Sequence, residues 1–370
     1  MEFALSQDQR MMQESVDRTL TKVSSLDRVR KSADDNEDYA RDVFAAVVEL
    51  GVPGMIIPES QGGMGLKLLD AALVSETLGR HVAPVPFAAT AVMAPIALMG
   101  SGSPQQQGAY LPRLATGDAT AGVAISERGS GAREDAGVSA SKGRLNGRAM
   151  FVMDFAGADL FIVADRSSGL HLVSARANGL TRTSLATIDR TRSIGELEFN
   201  DVEGEPLKSG DPRRTLQRVL DAGRVMLAAD TLGAAQMMID KAVAYAKERK
   251  QFGRVIGSFQ AVKHLCAEMA AELEPCRSLV WYAAHAFDAI PDEASLMAAH
   301  AKAHLSEVGR FVARTATEVH GGMGFTDLLG LHYWFKRIGL DRQLLGAPER
   351  VREEAAVLQG WQREIGVLAH

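Results

Sequence analysis

The stretch 249–260, RKQFGRVIGSFQ, joins two long alanine-rich segments that have helical periodicity. The proline-free segment 215–250 precedes it, and the segment 261–289 follows it. Farther on, Pro348 predicts the start of a last helix, because proline is favoured at the first helical position. Long alanine-rich helices joined by short connections are typical of antiparallel bundles. The sequence therefore predicts a C-terminal four-helix bundle over residues 212–370, with 249–260 as one of its connectors.

The chain before the bundle falls into two regions of different pattern. Residues 1–115 repeat the helical period, beginning with Ser6 and Gln9, which fit a capping box. Residues 116–211 contain short β-prone runs separated by Asn-Gly and Ser-Ser-Gly turns, which indicate an antiparallel sheet or small barrel. We therefore predict an α+β multidomain fold: an N-terminal helical domain, a middle antiparallel β domain and the C-terminal bundle.

The composition is that of an ordinary globular protein. Of the 370 residues, 46% are hydrophobic and 24% are charged, and 41 basic against 46 acidic side chains give a formal net charge of -5. This near balance argues against nucleic acid or an anionic membrane as the main partner. The longest apolar run, 88–100, is short and broken by Pro95, so we predict no membrane span.

Cysteine usage and the first residues bear on the compartment. Cys266 and Cys276 lie on one predicted helix about 15 Å apart, which is too far for a disulfide between them. Neither has a companion pattern such as CxxC, so no metal site is expected. The opening residues lack a basic segment followed by an apolar core, so no signal peptide is predicted. We expect a cytoplasmic protein.

The connector 249–260 carries groups suited to a phosphate ligand. Arg249 supplies a planar, permanently charged fork for phosphate oxygens. Gly253 and Gly257 allow tight turns or a close approach of the backbone. Gln260 lies at the start of the next helix, where free N–H groups favour an anion. The alternative is a helix–helix loop with solvated polar residues. The sequence contains neither a Walker loop nor GxGxxG spacing, so a nucleotide would bind without the common strand–loop–helix cradle.

Five segments together carry a resemblance to a known family. Residues 248–270, ERKQFGRVIGSFQAVKHLCAEMA, closely resemble the C-terminal signature of the acyl-CoA dehydrogenase family. Further matches in the same order are 50–66 (LGVPGMIIPESQGGMGL), 124–135 (AISERGSGARED), 146–164 (NGRAMFVMDFAGADLFIVA) and 317–326 (TEVHGGMGFT). The resemblance covers essentially the whole chain. It implies a helical domain, a β domain and a four-helix bundle, in agreement with the periodicity.

The resemblance also implies an activity and its partners. Members of the family use FAD to remove the α and β hydrogens of an acyl-CoA thioester, in fatty-acid or sterol-side-chain β-oxidation. An electron-transfer protein is the expected acceptor. The family's connector residues reach the FAD of a neighbouring subunit, so the resemblance implies a homo- or hetero-oligomer, either a dimer or a tetramer.

Two sets of residues match the family's FAD contacts position by position. The first set matches residues that hold the pyrophosphate and adenine end of FAD: Arg249, Gln251, Phe252 and Gln260. The second set matches a turn along the adenosine half: Glu318, His320, Gly321 and Gly322. At Glu318 the family often has glutamine. The alternative explanation for the glycines of HGGMGF is that they end a helix. This explanation is compatible with the cofactor role.

The β region matches the family less well. Ser126 falls where the family places a hydroxyl near the flavin ring. Phe151 and Met153 fall where the family has tryptophan and threonine, and methionine cannot replace the threonine hydrogen bond. Arg128 and Arg133 are candidates for a phosphate contact, with a solvated charged loop as the alternative.

The catalytic base of the family has no counterpart at either of its usual positions. That reaction needs a carboxylate held over the α carbon. Alignment with the family puts Leu345 at the usual position and Arg224 at the alternative position on the first bundle helix, so Arg224 is expected near the acyl pocket. Glu349 and Asp327 are the nearest displaced acids, and each has a structural explanation at a helix start or as a cap.

Four hypotheses follow from the missing base. The chain is one subunit of a heteromeric acyl-CoA dehydrogenase whose related partner supplies the base, as it resembles the degenerate subunits of such enzymes in sterol-side-chain degradation. Alternatively, a displaced acid acts as base, or the protein binds flavin without dehydrogenating a substrate. The last hypothesis is a non-catalytic scaffold subunit that retains only the bundle and its interface.

Overall fold

The computed structural model describes residues 4–125 and 136–361. Its first part is helical, as predicted, and begins with the predicted capping box. The Ser6 side chain accepts the Gln9 backbone N–H, and the Gln9 side chain accepts the Ser6 backbone N–H. The helices are α1 (Gln7–Val23), α2 (Leu26–Asp34), α3 (Arg41–Val48), α4 (Leu68–Arg80), α5 (Ala94–Ser101) and α6 (Pro104–Ala115).

The middle part is an eight-stranded sheet in the order β6-β7-β3-β1-β4-β5-β8, with β2 paired to β3. The strands are β1 (Ala121–Ala124), β2 (Gly137–Ser141), β3 (Arg144–Met153), β4 (Leu160–Ala164), β5 (Leu170–Ser174), β6 (Leu180–Ser184), β7 (Ile194–Glu203) and β8 (Glu205–Leu207). Most pairs are antiparallel, as predicted, but β1 and β4 are parallel. Strand β1 lies between β3 and β4, and it is antiparallel to β3. The predicted middle β domain is therefore confirmed, and β1 with β4 is its one parallel pair of named strands among the described residues.

The last part is helical, which confirms the predicted bundle and the helix start at Pro348. Its helices are α7 (Pro212–Glu248), α8 (Gln260–Ala289), α9 (Pro291–His320), α10 (Leu331–Gln343) and α11 (Pro348–Leu358). Helix α9 packs on α7, α8, α10 and α11. Cys266 and Cys276 both lie on α8 as free thiols. Within 4–125 and 136–361, no helix has the length and apolarity needed to cross a bilayer.

The N-terminal helices dock on the bundle through glycines at the crossing of α4 and α7. A Cβ atom added at Gly79 would lie 2.0 Å from the carbonyl oxygen of Asp230, and one added at Gly233 would lie 1.7 Å from that of Glu76. Neither position can therefore carry a side chain without separating the helices. This close crossing fixes the N-terminal helices against the middle of α7, next to the segment that carries Arg224.

Candidate functional site

The connector between α7 and α8 is an ordered hairpin. Two short strands pair antiparallel, β9 (Lys250–Gln251) with β10 (Arg254–Val255). Phe252 and Gly253 form the tip, both with left-handed backbone at φ of 52° and 77°, a combination that suits a two-residue hairpin turn. A Cβ atom at Gly257 would lie 2.8 Å from the carbonyl oxygen of Ala246, so the glycine lets the hairpin pack on the end of α7. The connector is thus a defined structure rather than an irregular solvated loop.

The hairpin presents cationic, amide and aromatic groups to the outside. Arg249, Gln251 and Gln260 are exposed, and Phe252 is 92% exposed at the tip. The Arg254 guanidinium lies 4.0 Å from the centre of the Phe259 ring. In the described part of the chain, no carboxylate forms an ion pair with either arginine of the hairpin.

These groups fit one end of a dinucleotide. The first N–H groups of α8 have no acceptor in the preceding turn, and the helix dipole favours an anion there. Guanidinium groups suit pyrophosphate oxygens, and an exposed phenylalanine suits the face of a heterocycle. The donor set that FAD requires at its pyrophosphate and adenine end is therefore present at the hairpin.

The turn at the end of α9 lies beside the same end of the bundle. The His320 ring packs on the Tyr245 ring with centroids 4.7 Å apart, and the carbonyl of Tyr245 accepts the N–H of Arg249. His320 is buried, its Nδ1 donates to the carbonyl of Ala316 at 2.7 Å, and burial lowers the pKa of its imidazole. The structure thus joins the hairpin 249–260 to the turn 318–322 through the contact of His320 with Tyr245.

The remaining residues of this turn are open to the surface. Glu318 is exposed, and Gly321 and Gly322 have nothing within 4 Å of an added Cβ atom. Gly321 has a φ of 56°, and Phe325 is 81% exposed. An open glycine backbone next to an exposed aromatic ring allows a flat ligand to lie along the turn.

The β-domain candidates do not share one surface. Phe151 lies at a bulge between Ala149 and Val152, with a φ of 52°, and is 44% exposed. Met153, two residues on, is fully buried in the core that joins the sheet to the helices. Regular alternation would put both side chains on one face, but the register shift between Ala149 and Val152 interrupts that alternation at Phe151. Ser126, Arg128 and Arg133 lie outside the described residues.

The two positions at which sequence alignment predicts the family's base, Leu345 and Arg224, meet in space. The Arg224 Nε donates to the carbonyl of Leu345 at 3.0 Å. The Leu345 side chain, fully buried, faces the neighbouring Gly223: a Cβ atom added there would lie 2.6 Å from Leu345 Cδ1 and 2.8 Å from Met93 Cε. Alignment places Arg224 at the second position, whereas the structure shows that Gly223 is the residue facing the 345 side chain. Hydrocarbon fills the space between them.

Arg224 itself is enclosed. Its side chain is 1% exposed, and its guanidinium lies 2.7 Å from a carboxylate oxygen of Glu354 on α11. A second cation, Lys302 on α9, is also 1% exposed and donates to the carbonyl of Gly346. Two buried cations therefore hold the loop at the base position through its backbone. The sequence comparison identified neither Glu354 nor Lys302, because both belong to helices whose periodicity alone explains them.

The two displaced acids are engaged elsewhere. Glu349 is exposed and accepts from Arg342 at 2.9 Å. The Asp327 carboxylate accepts from His332 at 2.7 Å. The pKa of Asp327 is lowered, first by that hydrogen bond, and the pKa of Glu349 is lowered, first by its own backbone N–H. A lowered pKa makes each carboxylate a weaker base.

Asp221 is a buried acid that was not predicted from the sequence. It lies on α7 one turn before Arg224 and accepts from Ser295 at 2.6 Å and from Gln217 at 2.9 Å. Burial raises the pKa of its carboxyl. A carboxylate in this environment could take up a proton, but both neighbours already use its oxygens.

Comparisons with known proteins match this architecture along the chain. The model described as acyl-CoA dehydrogenase, N-terminal domain, matches residues 6–118, and that described as acyl-CoA dehydrogenase, C-terminal domain, matches residues 213–356. Acyl-CoA dehydrogenase IpdE2 of Mycolicibacterium smegmatis is 30% identical over 345 residues, which are 93% of this chain and 96% of the relative.

Two further proteins are similar at the same level. Acyl-CoA dehydrogenase FadE34 of Mycobacterium tuberculosis is 32% identical over 339 residues, which are 90% of this chain but only 44% of the relative. Among solved structures, a variant of the Tcur3481-Tcur3483 steroid ACAD is 29% identical and superposes with a TM-score of 0.86, covering 95% of this chain and 98% of that one.

Proposed function

The chain belongs to the acyl-CoA dehydrogenase family, and on that premise we propose that it binds FAD and serves the α,β-dehydrogenation of an acyl-CoA thioester. The observation that carries the proposal is the hairpin 249–260 beside the turn 318–322. Together they place a guanidinium, a helix N-terminus and an exposed ring at one end of the bundle. An exposed guanidinium and an exposed ring at the same end of the bundle can contact a phosphate and a heterocycle together.

The roles of this chain's own residues follow from their positions. Arg249 would hold pyrophosphate oxygens, with the first N–H groups of α8 as further donors. The open backbone at Gly321 and Gly322 would let an adenosine lie along the turn, and the neutral imidazole of His320 would keep positive charge away from it. When bound, FAD supplies the hydride acceptor that no side chain can provide.

The substrate class and the setting rest on the relatives. A steroid ACAD and mycobacterial acyl-CoA dehydrogenases are among the proteins similar to this chain. We therefore propose a sterol-derived or fatty acyl-CoA as substrate and an electron-transfer protein as acceptor. We also propose an oligomer in which the hairpin reaches the FAD of the next subunit, and a cytoplasmic location.

Arg249→Ala tests the cofactor assignment. We expect the variant assembly to retain FAD about tenfold less tightly, because a hydrogen bond to a charged group contributes roughly 1.5–3 kcal/mol. The measurement is the FAD content per chain after gel filtration. Lys250→Ala is the matched control, since Lys250 is an exposed cation of the same hairpin. If Arg249→Ala keeps the flavin content of the unaltered protein, the hairpin is not a cofactor contact.

One observation favours a second, narrower candidate function. Leu345 and Gly223 are apolar at the place where we expect the family's base, and Glu349 and Asp327 are engaged in surface contacts. The chain would then be the half of a heteromeric enzyme that contributes FAD contacts while a related partner supplies the base. The match to only 44% of FadE34 leaves room in that relative for a second unit of this size.

Co-expression tests the heteromeric candidate. We would produce the chain alone and together with a homologue from the same host that has glutamate at the position of Leu345. A flavin that is bleached by acyl-CoA only in the co-purified pair supports the half-site function, whether or not the chain alone also holds flavin. A chain that is flavin-free in both preparations supports the scaffold hypothesis instead.

A further inference from the structure

Lys302 is a buried cation that the proposed chemistry does not use. It lies on α9, is 1% exposed, and has its three N–H groups directed at three oxygens. Its Nζ donates to the carbonyls of Arg342 and Gly346, each at 3.0 Å, and to the hydroxyl of Ser306 at 3.2 Å. Within 4–125 and 136–361 it forms no ion pair. Burying a lysine without a carboxylate partner is costly, so the contacts that it makes have to offset that cost.

The two carbonyls belong to a loop with unusual backbone. Leu345 has a φ of 55° and Gly346 a φ of 113°. The left-handed region is unfavourable for leucine and persists only where surrounding contacts impose it. Here Lys302 holds the loop at Arg342 before the strained pair and at Gly346 within it, while Arg224 holds the carbonyl of Leu345 between them.

The C-terminus of α10 gives a reason for a cation at this point. The helix ends at Gln343, so the carbonyl of Arg342 belongs to its last turn, where the dipole is negative. The carbonyl of Gly346 lies beyond the helix and cannot be satisfied by it. The Lys302 ammonium group donates to both carbonyl oxygens, and it thereby fixes the distance between Arg342 and Gly346 and the turn of the chain that joins them. A neutral apolar side chain would leave both carbonyls buried and unpaired.

We propose that Lys302 is a positioning residue for the base loop: by bridging the carbonyls of Arg342 and Gly346 it fixes residues 343–347 so that the side chain at position 345 lies against Gly223. The inference rests on the proposed function, because position 345 matters only where the family reaction takes place. On this proposal a residue of α9 fixes the orientation of the side chain at position 345, which is leucine in this chain.

The groups around Lys302 give the positioning a pH dependence. It is faced by Arg224 from α7, by Asp341 and Arg342 from α10, and by Glu349 from α11. Burial lowers the pKa of the Lys302 ammonium to about 7. Above that pH the buried amine is neutral and keeps two N–H groups for the two carbonyls. A Lys302 exposed by loop opening would instead take up a proton, so opening becomes less favourable as the pH rises.

Hydrogen exchange of the intact assembly tests the proposal. Lys302→Met is expected to speed the exchange of the amides of 343–347 by about tenfold or more, since two charge-assisted hydrogen bonds are lost. Ser306→Ala is the matched control, because it removes only the acceptor on α9 and leaves both loop bonds in place. The loop of Ser306→Ala should exchange at the rate of the unaltered protein.

The pH dependence separates positioning from a merely structural role. After correction for intrinsic exchange, opening of the loop in the unaltered protein should decrease above about pH 7. In Lys302→Arg, which stays charged, it should not. Faster exchange spread evenly over α9 and α7 in Lys302→Met, or unchanged exchange in 343–347, would overturn the proposal. Flavin content is recorded alongside: loop exchange needs no flavin, so failure of the cofactor assignment would show separately.

Discussion

Replacing Leu345 with glutamate is expected to raise the rate at which an acyl-CoA bleaches the FAD of the assembly by about 10²–10⁴-fold, the usual contribution of a positioned general base. The backbone at position 345 already has the conformation that the loop imposes, and the side chain lies against Gly223 and Met93. Glutamate is close to leucine in size.

Leu345→Gln is the matched control for this gain. It has the shape and polarity of the glutamate variant but cannot accept a proton as a base. Rapid mixing without oxygen, followed through the visible flavin absorbance, measures both variants against the unaltered protein. Equal rates in all three would mean that position 345 does not face the substrate. A gain in the glutamine variant as large as in the glutamate variant would mean that the pocket, rather than a base, had been altered.

Arg337→Met is expected to lower the free energy of unfolding of the subunit by about 3–5 kcal/mol, the typical cost of removing one partner from a buried ion pair. Arg337 is 2% exposed, and its Nε donates to Asp189 at 2.7 Å. Another nitrogen reaches Asp230 on α7 at 3.2 Å, and a third donates to the hydroxyl of Thr191. The variant would leave two buried carboxylates without this cation.

The same arginine joins the β region to the bundle, so its loss should destabilise the subunit more than the loss of a less buried cation. Asp189 and Thr191 lie between β6 and β7, whereas Asp230 lies on α7. Urea unfolding at matched protein concentration measures the change, with Lys336→Met, a less buried cation of the same helix, as control. We expect the control to stay within about 0.5 kcal/mol of the unaltered protein. Similar values for the two variants would show that the buried cluster contributes no more than a surface charge.

The fold was largely predictable because its elements obey local rules. The capping box at Ser6, the helix start at Pro348 and the long alanine-rich helices each follow from a few neighbouring residues. The position of β1 between β3 and β4 did not follow, since strand order depends on contacts between segments far apart in sequence. The turn signals correctly placed strands but could not state which neighbour each would choose.

The candidate site shows the same division. Arg249 and His320 were identified from motifs, and the structure joins those motifs through the contact with Tyr245. Phe151 and Met153 were predicted to line the flavin ring, and this stays a prediction; the bulge at Phe151 could not be predicted, because no residue type is specific to a bulge. Lys302 was not predicted as a functional residue, because nothing in the local sequence distinguishes it from the other cations of its helix. Its burial and its bonds to the base loop depend on how α9 packs against α10, which periodicity does not contain.

We propose that this chain contributes FAD contacts but has no base of its own, since leucine occupies position 345. The most direct measurement is to mix the purified chain, loaded with FAD and without partner, with a saturating acyl-CoA in the absence of oxygen. We expect the visible flavin absorbance to stay unchanged, and to be lost once a related partner with glutamate at the matching position is added. Rapid bleaching by the chain alone would contradict it.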